Sequence, residues 1–331
     1  MQVTWAGSPD RVEARLVPEA GFPFDGFRIS GFPRRAGLPL ARSLGRAAVA
    51  PLACRRILAA RRPDVVLGGG GYVAGPMVLA AALSGIPAAL TEADAHLGLA
   101  NRLALPFAKR LFLPLPIEGV TGAKVRVTGR PIPSRSRPVE TAAARAHFGL
   151  PPTGRVLLVF GGSLGSRALN ELVVAEFGGE AAAASGGAGA VPAVLHLCGE
   201  RDYPALAPRV GREGYRLVAF TDDFGAALAA SDLVLARAGG SVWEVAAAGK
   251  PAILVPYPSA TADHQTKNAR YFEAGGGAVV VPEPELERVP ALVRELLADP
   301  ARLAGMRSGM LALARPDAAA EIAEELIALA R

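Results

Sequence analysis

The chain has 331 residues, of which 51% are hydrophobic, with a formal net charge of +6 and two cysteines. This length allows two packed domains, and the apolar content excludes a disordered chain. The cysteine count excludes a disulfide framework and no Cys/His spacing predicts a zinc site, which suits a reducing cytoplasm.

The first half predicts short apolar strands separated by Gly- and Pro-rich turns. The strands are predicted at Val3–Trp5, Val65–Leu67, Ala88–Leu90, Arg110–Leu113 and Val125–Thr128. Residues 65–91 carry no charge, but their glycines and prolines interrupt any membrane-spanning helix. We therefore predict a glycine loop at Gly68–Gly71 and a short buried helix at Met77–Leu83.

An arginine-rich segment lies between the first two of these strands. No acidic residue occurs between Asp25 and Asp64, whereas nine arginines alternate with apolar residues. This composition fits the anionic face of a membrane. The residues predicted to contact it are Phe32, Arg34, Arg35 and Arg42. Nucleic acid is a weaker alternative, because the segment has no series of aromatic residues for base stacking. A third alternative is that the arginines simply lie on helix faces exposed to solvent and bind no partner.

The strand pattern restarts after a proline-rich stretch that contains Pro131, Pro133 and Pro138. New strands are predicted at Val156–Phe160, Val194–Leu197, Arg216–Phe220, Leu233–Ala236, Ala252–Val255 and Ala278–Val281. Strands that alternate with helices predict an α/β fold with parallel sheets in two Rossmann-like domains, which face a cleft. We place the domains at residues 1–133 and 134–316, with a helix at 317–331 that packs back on the first.

Two glycine-rich loops of the second half follow strands and open helices. They are Gly161-Gly-Ser163-Leu-Gly165 and Arg237-Ala-Gly239-Gly-Ser241. Free backbone N–H groups at a helix N-terminus favour a diphosphate, and Glu244, one turn into its helix, can accept two ribose hydroxyls. The Gly161–Gly165 loop has neither a P-loop nor a GxGxxG pattern, and the segment from Arg237 taken alone also fits an ordinary strand–turn–helix.

Two polar segments also end strands of the second half. In Phe220-Thr221-Asp222-Asp223, strand-end backbone can pair with a flat base, and the aspartates are predicted as helix caps. In Asp263-His264-Gln265, polar side chains can hold sugar hydroxyls, with a capped polar loop as the alternative. His147 and His196 are predicted to be structural.

These motifs occur in one order along nearly the whole chain and together resemble the MurG family. The resemblance rests on Gly68-Gly-Gly-Gly71-Tyr72, Gly161-Gly-Ser163-Leu-Gly165, Phe220-Thr-Asp-Asp, Arg237-Ala-Gly…Glu244 and Asp263-His-Gln265…Asn268. It implies a GT-B fold and transfer of GlcNAc from UDP-GlcNAc to the MurNAc 4-hydroxyl of lipid I, which gives the peptidoglycan precursor lipid II. It also implies an inverting, metal-independent enzyme without a cofactor, peripheral at the cytoplasmic face of the cell membrane.

The resemblance also implies roles for individual residues. The implied donor residues are Gly162, Ser163, Gly165, Thr221, Gly239, Gly240, Ser241, Glu244, His264 and Gln265. Among them, Glu244 holds the ribose, Thr221 offers backbone to uracil, Ser163 and the Gly239–Ser241 turn meet the diphosphate, and His264 and Gln265 contact the GlcNAc. The implied acceptor residues are Gly70, Gly71, Tyr72 and Asn101. The C-terminal domain takes the donor, and the N-terminal domain takes the lipid acceptor and faces the membrane.

The chain departs from the family pattern at several places, one of which is a turn before Glu244 that is one residue shorter than the commoner form. The family's first strand and Gly-Gly-Thr-Gly-Gly-His loop have no counterpart here. The family's His-Glu-Gln-Asn is replaced by Thr91-Glu-Ala-Asp94. Its Gly-Asn-Pro-x-Arg becomes Gly129-Arg130-Pro-Ile-Pro133, which displaces an arginine expected to bind phosphate.

Three hypotheses account for these departures. In the first, the start codon has been assigned too late, and the true upstream start would restore the first strand and loop. A divergent active enzyme would use Glu92 as its base, with Asp94 and His96 as weaker candidates. An inactive scaffold that binds the sugar nucleotide is the third. Transfer to another lipid acceptor is the rival activity, and a UDP-GlcNAc 2-epimerase fits less well because the basic, apolar surface would then have no role.

Overall fold

The computed structural model describes residues 2–29, 38–137, 139–162, 165–179 and 191–331, without the side chains of residues 38–48. The chain forms two compact units. One comprises Met1–Thr128 together with Ala319–Arg331, and the other comprises Gly129–Ala318.

The first unit contains two parallel sheets in its described residues. Strands β1 (Trp5–Gly7) and β2 (Phe24–Gly26) pair with each other. A four-stranded sheet has the order β3-β4-β5-β6, with β3 at Val66–Gly68, β4 at Ala88–Thr91, β5 at Arg110–Leu113 and β6 at Val125–Val127. The helices of this unit are α1 (Glu13–Glu19), α2 (Leu38–Arg61), α3 (Gly71–Leu83), α4 (Leu99–Ala104) and a C-terminal helix (Ala318–Leu329).

The C-terminal helix covers one face of the four-stranded sheet. Its Ile322 is buried against Ala89 of β4 and Phe112 of β5. Glu325 accepts a hydrogen bond from Arg110 Nε at 2.7 Å and lies 3.5 Å from Arg126 Nε. The hydrogen bond from Arg110 lowers the pKa of Glu325. Apolar packing and these charges therefore hold the last helix on the first unit.

The second unit is built on six parallel strands within its described residues. Their order is β12-β11-β10-β7-β8-β9, with β7 at Val156–Phe160, β8 at Ala193–Leu197, β9 at Tyr215–Val218, β10 at Leu233–Ala236, β11 at Ala252–Leu254 and β12 at Ala278–Val280. The strand order reverses between β7 and β10, which are neighbours. Such a switch point is where ligands bind in open α/β sheets, beyond the carboxyl ends of the strands.

Helices pack on this sheet because its strands are apolar on both faces. All five residues of β7 and all four of β10 are buried. The described helices are α5 (Thr141–His147), α6 (Arg167–Phe177), α7 (Tyr203–Leu206), α8 (Phe224–Ala230), α9 (Val242–Ala247), α10 (His264–Ala274), α11 (Val289–Ala298) and α12 (Pro300–Leu313). Helices α6 and α11 contribute Val173 and Val293 to the main core.

The predicted and observed elements differ mainly in the first unit. The strand predicted at Val3–Trp5 lies at Trp5–Gly7, and its partner Phe24–Gly26 was not predicted, because Pro and Gly surround it. The helix predicted at Met77–Leu83 begins six residues earlier, at Gly71, so Pro76 lies inside it. Pro76 is the sixth residue of the helix and has no N–H to donate to the carbonyl of Tyr72 one turn earlier, so the helix lacks one backbone hydrogen bond there.

Candidate functional site

A cavity of about 190 Å³ lies at the switch point of the second unit. Four of the predicted donor residues line it together: Gly162, Thr221, Ser241 and Glu244. They follow three different strands, β7, β9 and β10, because parallel strands bring their carboxyl ends to one edge of the sheet. The cavity's position agrees with the site that the strand order favours.

The loop between β7 and α6 can be formed only by glycine at two positions. A Cβ on Gly165 would lie 2.0 Å from the carbonyl oxygen of Cys198, and Gly165 has a φ of +72°. A Cβ on Gly161 would lie 2.3 Å from the backbone nitrogen of Ser166. The loop therefore lies directly against the backbone that follows β8. Ser163, the predicted diphosphate residue in this loop, lies outside the described residues.

A network of buried hydrogen bonds fixes the backbone against which this loop packs. Asn170 of α6 donates to the carbonyl of Cys198 and to Asp202, both at 2.9 Å, so its Oδ1 accepts from His196 Nε2. His196 Nδ1 then accepts from the Tyr215 hydroxyl at 2.7 Å. Burial lowers the pKa of His196 to about 4, so the ring is neutral. This agrees with the structural role predicted for His196.

The turn after β10 presents backbone donors. No described residue accepts a hydrogen bond from the N–H groups of Gly239, Gly240 or Ser241, which precede α9. Glu244, in the first turn of α9, lines the cavity and accepts a short hydrogen bond from the Ser136 hydroxyl. Donors to an anion and an acceptor for hydroxyls thus lie within one turn of helix.

Arg237, the first residue of this motif, bonds to other parts of the protein and holds neighbouring loops together. Its buried guanidinium donates to the Ser166 hydroxyl at 3.0 Å and to the carbonyls of Val255 and Pro256 at 3.2 and 3.1 Å. It also forms an ion pair with Glu283. One side chain therefore fixes the loops that follow β7, β10 and β11.

Thr221 offers its backbone to the cavity. Its hydroxyl accepts from the N–H of Asp223 at 3.0 Å, while its own N–H and carbonyl bond to no described residue. The aspartates differ from the predicted caps: Asp223 occupies the N-cap position of α8 without a side-chain capping bond. Its carboxylate instead lies 3.3 Å from His147 Nε2.

His264 and Gln265 begin α10, and neither lines the cavity. His264 Nδ1 donates to the carbonyl of Thr261 at 2.9 Å, and Gln265 Oε1 accepts from the N–H of Tyr257 at 2.9 Å. The amide nitrogen of Gln265 faces Gly239, where an added Cβ would lie 3.9 Å from it. Gln265 therefore borders the turn that presents the backbone donors.

The sequence analysis assigned no donor-site role to three residues near the donor motifs, of which Arg135 and Ser136 line the cavity. Ser136 is buried beside Glu244, and Arg135 lies 4.0 Å from Asp222. The guanidinium of Arg130 lies on Gly240, where an added Cβ would come within 2.4 Å of its Cζ. All three lie near the proline-rich stretch, which carried no motif of its own.

In the first unit, the predicted acceptor residues gather around the start of α3. Gly70 and Gly71 have φ values of +85° and +66°, which favour glycine. Tyr72 accepts a hydrogen bond from Arg11 Nε at 3.1 Å. Asn101 of α4 lies beside the loop, since a Cβ on Gly70 would be 3.7 Å from its amide nitrogen.

Glu92 and Asn101 are joined by a hydrogen bond at the loop that follows β4. Asn101 Nδ2 donates to the carbonyl of Thr91 at 3.0 Å and to Glu92 Oε2 at 2.9 Å. Glu92 also accepts from the N–H groups of Gly98, at 2.9 Å, and Ala93, at 3.1 Å. Asn101 Oδ1 is buried and accepts no hydrogen bond from the described part of the chain. The Glu92 carboxylate therefore organises the loop that follows β4.

The other candidate bases, Asp94 and His96, lie half-buried in that same loop. Of the predicted membrane residues, Phe32, Arg34 and Arg35 lie outside the described residues, and Arg42 lies in α2 where only the backbone is described. None of the helices in the described residues is both long and apolar enough to cross a membrane.

Comparison with known families covers most of the chain. The profile of the glycosyltransferase family 28 N-terminal domain matches residues 1–113, and that of the family 28 C-terminal domain matches residues 156–322. These ranges contain the candidate residues of both units apart from those near the proline-rich stretch.

Individual relatives are similar over nearly their whole length. The proteins of Halothermothrix orenii and Salinibacter ruber are 35% and 39% identical, over 95% and 99% of this chain and 88% and 89% of theirs. Both are named UDP-N-acetylglucosamine--N-acetylmuramyl-(pentapeptide) pyrophosphoryl-undecaprenol N-acetylglucosamine transferase.

Solved structures extend the comparison. The crystal structure of MurG from Acinetobacter baumannii has a TM-score of 0.76 and 28% identity, covering 98% of this chain and 90% of its own. The UDP-GlcNAc 2-epimerase of Neisseria meningitidis, bound to UDP-GlcNAc, has a TM-score of 0.64 at 15% identity, over 98% and 91%. The second likeness concerns the fold alone.

Proposed function

Because the chain belongs to the MurG family within glycosyltransferase family 28, we infer that it transfers N-acetylglucosamine from UDP-N-acetylglucosamine to N-acetylmuramyl-(pentapeptide) pyrophosphoryl-undecaprenol. The chain is thus a GT-B glycosyltransferase that converts lipid I to lipid II in peptidoglycan precursor synthesis.

The donor cavity of the second unit carries this proposal. Glu244 accepts the ribose hydroxyls, and the open backbone of Thr221 pairs with the edge of uracil. The N–H groups of the Gly239–Ser241 turn and of the Gly162 loop donate to the diphosphate. Gln265 and His264 border the sugar end of the site, where their polar atoms can contact the GlcNAc.

The proposed reaction is a single inverting displacement. The MurNAc 4-hydroxyl oxygen bonds to the anomeric carbon as that carbon's bond to the β-phosphate oxygen breaks, and the hydroxyl proton passes to a base. Negative charge develops on the departing UDP. Backbone N–H groups and the N-terminal dipole of α9 stabilise this charge, so the reaction requires no metal ion.

Acceptor binding is proposed for the glycine loop of the first unit. The N-terminus of α3, with Gly70, Gly71 and Tyr72, receives the diphosphate of the lipid, and the unpartnered Oδ1 of Asn101 accepts a hydrogen bond from it or its sugar. Glu92 is the first candidate for the base, ahead of Asp94 and His96.

The identity of the base can be tested by pH profiles. Glu92→Gln keeps the side-chain shape and its acceptor oxygen for Asn101 but removes the basic carboxylate. If Glu92 is the base, kcat falls by about 100-fold or more and its acidic limb disappears. A rise in KM with an unchanged pH profile would assign Glu92 to loop structure, and Asp94→Asn and His96→Gln would then be compared.

Attachment to an anionic membrane surface is proposed for α2, peripheral at the cytoplasmic face. On its described side chains, Cys54 and Leu58 are buried, whereas Val49 and Leu52 are 57% and 62% exposed beside exposed Arg55. Exposed apolar side chains next to cations fit the interface of an anionic bilayer.

Sedimentation with phosphatidylglycerol vesicles tests this surface. We expect binding that weakens with salt and with Arg55→Glu or Leu52→Ser, because charge and apolar burial both contribute. Arg288→Glu, an exposed site in the second unit, is the matched control. Binding that is insensitive to salt and to these α2 variants would contradict the proposal.

A radiolabelled transfer assay with lipid I and UDP-GlcNAc tests the activity itself. We expect label in lipid II, unaffected by EDTA, and about 30-fold less label when Glu244→Ala is assayed at low donor concentration. Formation of UDP-N-acetylmannosamine without acceptor would indicate an epimerase instead. Binding of UDP-GlcNAc without turnover would indicate a scaffold, and turnover only with another lipid would indicate the rival acceptor.

A further inference from the structure

Arg130 lies directly on the turn that presents backbone donors to the donor cavity. A Cβ built on Gly240 would come within 2.4 to 2.7 Å of three guanidinium atoms of Arg130. Gly240 therefore accommodates the guanidinium in the space that a side chain would fill. The neighbouring N–H groups of Gly239 and Ser241 bond to no described residue.

The sequence around Arg130 departs from the family in a matching way. The family pattern Gly-Asn-Pro-x-Arg reads Gly129-Arg130-Pro-Ile-Pro133 here, so the arginine is lost at position 133 and gained at 130. A guanidinium offers paired donors that match two phosphate oxygens, which proline does not.

Two other arginines near the cavity contact groups away from this turn. Arg237 is buried and bonded to Ser166, two carbonyls and Glu283. Arg135 lines the cavity beside Asp222. Arg130 therefore places a positive charge directly beside this turn.

We propose that Arg130 binds the diphosphate of the donor and replaces the arginine that this chain lacks at position 133. This proposal rests on the proposed function, since it assumes a nucleoside diphosphate in the cavity. Arg130 then contacts the leaving group, so it contributes to donor affinity and to the departure of UDP. A ligand without phosphates does not involve it.

The test compares UDP with uridine by calorimetry. Arg130→Gln should lower UDP affinity at least about tenfold, the effect of losing a charged hydrogen bond, and change uridine affinity less than about twofold. Arg130→Lys should be intermediate, because it keeps the charge without the paired donors. Arg209→Gln, a surface arginine paired with Glu171, is the control for net charge.

A rescue variant strengthens the test. Arg130→Asn combined with Pro133→Arg recreates the family pattern and should recover UDP affinity relative to Arg130→Asn alone. Equal losses for UDP and uridine, or no loss for UDP, in an Arg130→Gln protein with a wild-type melting temperature would overturn the proposal. If the wild-type chain does not bind UDP, the donor site itself is wrong, which is a distinct result.

Discussion

Glu244 is the residue whose removal tests the donor site most directly. It is half-buried in the cavity, and one carboxylate oxygen already accepts from the Ser136 hydroxyl. Glu244→Ala leaves two ribose hydroxyls and Ser136 without their acceptor. Loss of partners for partly buried hydroxyls costs about 1–3 kcal/mol, so we expect UDP affinity to fall about 30-fold, near the middle of that range.

Calorimetry with UDP and 2′-deoxy-UDP isolates the ribose contact, because the two ligands differ only in the 2′-hydroxyl. The wild-type chain should prefer UDP, because its 2′-hydroxyl donates to Glu244, and Glu244→Ala should bind the two ligands equally. Glu244→Gln should retain part of the preference, since one acceptor oxygen remains. Ser136→Ala is the control: it keeps the carboxylate and should change UDP affinity only a few-fold.

One result would refute the assignment of the ribose to Glu244. If Glu244→Ala keeps the wild-type preference for UDP over 2′-deoxy-UDP, the 2′-hydroxyl is recognised elsewhere, whatever happens to absolute affinity. A loss that is equal for both ligands would mean that the variant disturbs α9 rather than a ribose contact.

Three further predictions concern stability. Burial lowers the pKa of Lys250 from 10.5 to about 8. Between these two pH values the unfolded chain binds more protons than the folded chain, so the free energy of unfolding should rise with pH, by up to about 3 kcal/mol. Lys250→Met should remove this rise in urea unfolding at pH 7.5 and 10, and a persistent rise would exclude Lys250 as its source. Gly165→Ala should lower the free energy of unfolding more than Gly154→Ala, because both have positive φ but only the first meets the Cys198 carbonyl; equal losses would show that the loop can relax. The hydrogen bond from Arg110 lowers the pKa of Glu325, so Glu325→Gln should cost about 0.5–1 kcal/mol at pH 7, and this cost should shrink as the pH falls and the wild-type carboxylate takes up its proton; a cost that does not change with pH would point to packing rather than charge.

Sequence patterns predicted the second unit better than the first. Its strands are long, apolar and bounded by glycine, so Leu233–Ala236 and Val156–Phe160 are observed as predicted. The strand at Phe24–Gly26 was missed because three residues between Pro and Gly carry no periodic pattern.

Side-chain partners could not be predicted from the sequence in the same way. The motif identified Glu244, but nothing in the chain placed Ser136 beside it, since the two are 108 residues apart. Similarly, the motif begins at Arg237, but nothing in the sequence indicated that its guanidinium donates to carbonyls and pairs with Glu283. Such contacts depend on how loops from different strands meet, which local patterns do not encode.

The C-terminal helix has a consequence for the order of folding during synthesis. Ile322 covers Ala89 and Phe112, yet the whole second unit is translated before that helix leaves the ribosome. At about 5–20 residues per second, the apolar face of the first sheet is without this cover for roughly 10 to 40 seconds. The second unit is contiguous in sequence and can complete its sheet in that interval. The first unit therefore begins to be synthesised first but completes its fold after the second.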